Sequence, residues 1–257
     1  MRRVTTAATT AAILVVYNTV TNLRPGGDHG YISRNLVAGT LLLGLARRRG
    51  LTWQDLGLAS TDLGSGWRWG ALGAVVVSST LALAPVVARR WGLGRRILGD
   101  RRAALPPRQV AWQALVRIPI GTAAFEEIAF RGVLYALLHH AAGGRAALAG
   151  SSAAFGLWHV GPTLAALRLN DVSGEHACPT AAAVGSTAAL GVALGVLRLR
   201  SGHVVACWLA HWMSNAMGLA VAARWQWKHN AALTPTSSLG ADTVPPVGAD
   251  TVPPVLA

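Results

Sequence analysis

The chain alternates long apolar stretches with short clusters of arginine, and this alternation limits the folds open to it more than any other feature. The apolar stretches are 4–23, 31–46, 67–88, 109–139, 145–168, 180–198 and 203–223. A helix needs about 20 mostly apolar residues to cross a bilayer core. The pattern therefore predicts an all-α, polytopic integral membrane helical bundle with about seven spans (six to eight). Only 13% of the residues are charged against 52% hydrophobic, whereas a soluble domain is nearer a quarter charged. A net charge of +13 would suit nucleic acid if it were gathered on one face. It falls instead in "MRR", "ARRRG", "ARRWGLGRR" and "GDRRA" between the apolar stretches, as in membrane loops that keep Arg and Lys on the cytoplasmic side. The partner this implies is the lipid bilayer, not nucleic acid.

Individual stretches carry further expectations. The short stretch 31–46 would tilt little or thin the bilayer locally. The stretch 109–139, roughly 45 Å of helix, contains Pro119 and Gly121, where a kink or a fresh start is expected. Trp53, Trp67, Trp69, Trp91, Trp225 and Trp227 mark segment ends, the headgroup level that such rings favour. Residues 4–23 read as a first span, since no A-x-A-like cleavage site follows them. A cytoplasmic N-terminus places "MRR", Arg47–Arg49, Arg145 and "RLR" (198–200) inside, although the loop 89–108, with seven arginines, then lies outside. Residues 1–230 form one helical membrane domain. From 231 the composition changes, and "GADTVPPV" occurs at 240–247 and again at 248–255, so the tail 231–257 is expected to be extended and disordered. Cys178 and Cys207 make neither a disulfide framework nor a zinc spacing.

The chain has three glutamates, and two of them, Glu126 and Glu127, adjoin in the apolar "FEEIAFRGVLY" of 125–135. Ionisable groups inside membrane helices are expensive and by default mark a functional site. Glu127 and Arg131 are spaced i, i+4, the favourable order for an ion pair on one helix face. Glu126 points roughly 100° away, which leaves it free to take a proton from water. The plainer reading is a buried ion cluster without chemistry. His159 closes "FGLWH" one turn after Phe155, and a lone histidine on an apolar helix is more often a core residue than a catalyst. His211 and Asn215, in "HWMSN", again project together. They form a pair of donors suited to a developing oxyanion, or simply to hydrogen bonds between helices. Glu126, His159 and His211 could alternatively bind zinc with a water in the fourth position. However, "EEIAFR" is not H-E-x-x-H, and no i, i+4 histidine pair supplies two ligands from one helix. No cofactor is expected, with zinc as the alternative.

E-E-x-x-x-R at 126–131, F-x-x-x-H at 155–159 and H-x-x-x-N at 211–215 occur in that order, each on an apolar helix. Over about 105–220 the chain resembles the CAAX protease and bacteriocin-processing family of intramembrane endopeptidases, also called the abortive-infection family. The resemblance implies that Glu126 and His159 position and activate the attacking water, that His211 and Asn215 stabilise the oxyanion, and that Glu127 and Arg131, with Phe155, support the architecture. It implies a glutamate-type peptidase in the cell membrane acting on a membrane-associated protein or peptide. The prenylated substrate of eukaryotic relatives is not carried over. Two other classes compete: a non-catalytic scaffold or bacteriocin-immunity protein on the same fold, and a small transporter using the charges as a proton relay. The transporter reading lacks an inverted repeat. Convergence of Glu126, His159, His211 and Asn215 on one water-accessible cavity separates the peptidase from the scaffold.

Overall fold

The computed structural model describes residues 2–23, 28–94 and 98–233. Among them there is no strand. Helices α1 (Arg2–Leu23), α2 (Asp28–Arg48), α3 (Leu63–Ala82) and α4 (Ala84–Arg90) form the first half. A continuous helical run follows. It comprises α5 (Pro107–Trp112), a wide-turned stretch Gln113–Ala123 with i→i+5 bonding, α6 (Ala124–Glu127), a second wide stretch Ile128–Leu134, and α7 (Tyr135–Trp158). The chain ends in α8 (Val160–Leu169), α9 (Ala177–Ser201) and α10 (Val204–Leu233). The protein is an all-α membrane bundle, and the segments Ser60–Arg90, Ala177–Ser201 and Val204–His229 are each long and apolar enough to span. Large apolar side chains such as Leu41, Val75 and Val86 point outward, as a lipid environment allows.

Several expectations need correction. The apolar stretch 31–46 lies within the longer α2, which runs over 21 residues with polar residues at both ends. Pro119 and Gly121 do not restart the helix, because the wide stretch carries them through. In i→i+5 bonding, the donor that Pro119 lacks would have served the Ala114 carbonyl. Trp212 of α10 supplies that bond instead, its indole N–H donating to Ala114 O at 2.6 Å. Trp208, one turn earlier, donates to Pro119 O at 2.8 Å. Proline is tolerated inside membrane helices when a neighbouring helix repairs the freed backbone in this way.

The long run breaks at Gly143, whose φ of 82° and ψ of 172° suit a residue without a Cβ. The expected span 145–168 is likewise two helices, separated at His159. Pro162 accounts for this: its ring excludes an ordinary bond to the Trp158 carbonyl four residues back. Asn18 of α1 donates its side-chain amide to that carbonyl at 2.7 Å instead. Finally, α10 continues to Leu233, past the tail boundary expected at 231. Residues 234–257, with the duplicated octapeptide, lie outside the described residues.

Close packing depends on small residues. An added Cβ would come within 2.9 Å of His203 Cβ at Gly66, 3.0 Å of Ala206 Cα at Gly70, and 3.1 Å of Ala210 Cβ at Gly73. This ridge on α3 therefore brings the α10 backbone close, the usual way membrane helices associate. Gly156 does the same for α7 against α9, where a Cβ would stand 2.7 Å from the Val184 carbonyl oxygen. At one end of the bundle the 51–59 loop is fastened by Val204 N–H to Gly57 O at 2.8 Å and by Arg198 Nη2 to the carbonyls of Gln54 and Asp55, both at 3.2 Å. At the other end Arg101 pairs with Asp171 at 2.5 Å, and Asn170 donates to Asp100 at 3.1 Å.

Candidate active site

Glu126 and Glu127 lie on α6, between the two wide stretches and near the middle of the long helical run. Both are buried, at 3% and 0% exposure. Burying a carboxylate is costly unless it is paired. Glu127 Oε1 accepts from Arg131 Nη1 at 3.0 Å, and Arg131 itself is 1% exposed. The guanidinium lies 4.1 Å over the Phe155 ring, so Phe155 forms its floor. The same Glu127 oxygen is 2.6 Å from His211 Nδ1. Sequence reasoning placed Glu127 with Arg131 only, whereas the structure adds a link to a residue on α10, 84 positions away.

A carboxylate accepts, so His211 donates through Nδ1. Its Nε2 lies 3.2 Å from Asn215 Nδ2 and 3.8 Å from Glu126 Oε2. The two adjacent glutamates therefore flank the two nitrogens of one imidazole. Their directions diverge along the helix, and the ring spans the gap. Glu126 is not free as expected: its Oε1 accepts from the indole N–H of Trp158 at 3.1 Å. Oε2 is buried and has no hydrogen-bond partner among the described residues.

His159 sits at the break between α7 and α8. Its Nδ1 is 2.7 Å from the Phe155 carbonyl. A carbonyl only accepts, so Nδ1 carries the proton and Nε2 keeps its lone pair. The His159 ring meets Phe155 edge-on at 4.7 Å, and His211 meets the same ring at 5.7 Å. A cavity of about 400 Å³ lies beside these groups, lined by His159, His211 and Asn215 together with Arg117, Thr187 and, from one end of the bundle, Asp100. Glu126 does not line it but stands one imidazole ring away. Three of the four expected catalytic residues thus share a cavity, and the fourth adjoins it through His211.

Sequence reasoning missed Trp158 and Arg117. Trp158 adjoins His159 in "FGLWH", but nothing in the spacing reveals that its N–H reaches a residue 32 positions earlier. Gln113 and Arg117, polar and four apart in an apolar helix, were a legible signal; both are buried, and Arg117 lies 4.2 Å over Tyr31.

For a zinc ion held by Glu126, His159 and His211, each histidine has Nδ1 committed to a protein acceptor and Nε2 left to coordinate, and His211 Nε2 faces Asn215 and Glu126. Among the described residues no group of three His, Cys, Asp or Glu side chains is disposed to hold a metal ion.

No curated protein and no solved structure matches the chain. The family model for the type II CAAX prenyl endopeptidase Rce1-like proteins matches residues 108–217, the segment that carries all three motifs. That family is a protease family, and residues 108–217 are similar to an Rce1-like domain of the CAAX protease and bacteriocin-processing family.

Proposed function

We propose that the chain is an intramembrane endopeptidase of the glutamate type, hydrolysing a peptide bond of a membrane-associated protein or peptide. The observation that carries this reading is the shared cavity: His159, His211 and Asn215 line it, and Glu126 lies 3.8 Å from His211 Nε2. Substrate entry opens the way past His211 to Glu126, and a water held by His159 Nε2 then loses a proton to the carboxylate as its oxygen attacks the peptide carbonyl carbon. The proton passes on from Glu126 to His211 Nε2, 3.8 Å away, and the oxyanion is met by the Asn215 amide and by the Nε2–H of the imidazolium so formed. Glu127, 2.6 Å from Nδ1, stabilises that imidazolium. When the C–N bond breaks, the proton taken from water passes to the departing amine, which leaves an acid and an amine. The burial of these groups in an apolar bundle makes each such interaction count for more than it would in water.

The test compares peptide termini in membranes holding the wild type with those holding Asn215→Ala. New termini that depend on the wild type are expected; identical termini in both would leave the scaffold reading in place. With a substrate identified in this way, Asn215→Ala is expected to lower kcat by about 10²–10³-fold and to leave KM nearly unchanged. A strong chelator is expected to leave turnover intact. Loss of activity that zinc restores would recast Glu126, His159 and His211 as ligands.

A further inference from the structure

Trp158 is not one of the motif residues, yet it makes the one hydrogen bond to the Glu126 carboxylate found among the described residues, indole N–H to Oε1 at 3.1 Å. An indole N–H only donates, and a donor to a carboxylate makes a charge-assisted bond. The ring is fixed from several sides. It is 8% exposed, with ring centres 6.0 Å from Phe125 and 5.5 Å from Phe130. Its backbone carbonyl is held by Asn18, in place of the helix bond that Pro162 denies it. The helix break that presents His159 to the cavity therefore also aims the Trp158 donor at Glu126.

The terminal torsion of a glutamate is broad, so an unanchored carboxyl would present either oxygen over a range of angles. With Oε1 anchored, Oε2 alone remains without a partner, 3.8 Å from His211 Nε2. We propose that Trp158 is a positioning residue for Glu126, its indole N–H selecting the carboxylate oxygen that addresses the reacting water. This rests on the reading of Glu126 as the base. Positioning of this kind matters because small displacements of a reacting group cost large factors in rate.

Trp158→Phe keeps the ring in its aromatic surroundings and removes only the donor. Because the chain has three glutamates, labelling their side-chain carboxyl carbons with 13C gives three resonances, and Glu126→Gln assigns one by its loss. In Trp158→Phe the Glu126 resonance is expected to shift while those of Glu127 and Glu175 stay. Turnover of a quenched peptide built on a cleavage site found above is expected to fall about tenfold, the worth of one hydrogen bond to a charged group, with KM within about twofold. An unmoved Glu126 resonance overturns the proposal, and so does a fall in activity in which all three resonances move together with the melting temperature, the mark of a packing role. If Trp158→Phe does not fold, the indole proton of Trp158 is read in Glu126→Gln protein; an upfield shift supports the contact and an unmoved signal overturns it. Unchanged turnover by Glu126→Gln overturns the base reading and this inference with it. An inactive Glu126→Gln enzyme beside a fully active Trp158→Phe enzyme overturns this inference alone.

Discussion

Glu126→Gln is expected to lower kcat by about 10²–10⁴-fold, the usual worth of a positioned general base, while the protein still inserts and folds. The substitution is nearly isosteric. The amide oxygen can still accept the Trp158 indole N–H now made at 3.1 Å, so the aromatic packing around it has no reason to change. What disappears is the capacity of Oε2 to take a proton. That oxygen has no hydrogen-bond partner among the described residues, which means its loss as a base removes no structural bond seen there. Melting in detergent should therefore follow the wild type while turnover collapses. Near-normal turnover by the purified Glu126→Gln protein would remove the mechanism proposed here.

Glu127→Ala should behave in the opposite way, acting first on stability. It strips the carboxylate from two buried groups at once, Arg131 at 1% exposure and His211 at 2%. Breaking one partner of a buried ion pair costs roughly 3–5 kcal/mol, because an uncompensated charge is left in an apolar setting. Arg131→Ala should fall in the same range, since it leaves Glu127 buried without its guanidinium and also removes the contact with Phe155, 4.1 Å from the guanidinium carbon. Both variants should melt well below Glu126→Gln. Glu127→Ala should in addition lose activity, since His211 loses the acceptor 2.6 Å from Nδ1 that fixes its tautomer and ring angle. Superimposable melting curves for Glu126→Gln and Glu127→Ala would contradict this division between two adjacent carboxylates.

The sequence by itself determined the membrane class, most of the helices and the two local side-chain pairs. Apolar length alone implies spans, and i, i+4 spacing alone predicts both the Glu127–Arg131 pair, formed at 3.0 Å, and the contact of His211 with Asn215, at 3.2 Å. Both follow from the pitch of a helix, which spacing encodes directly. The ordered motifs also identified the family domain matched at 108–217.

Tertiary structure decided everything that joins one helix to another. A helix that is apolar on every face carries no stripe to say which side meets which neighbour. Nothing in the chain therefore announced that His211 would lie on Glu127, or that the Trp158 indole would hold Glu126. The prolines show the same limit. Pro119 with Gly121 suggests a kink or a fresh start, but the helix runs on and Trp212 of α10 supplies the missing bond. Pro162 passed unremarked, yet it splits a predicted span at His159, with Asn18 of α1 closing the gap. Proline always removes a backbone donor. Both freed carbonyls find a side-chain donor on another helix, yet one run continues through a wide i→i+5 stretch and the other breaks, and only the packed bundle supplies those donors.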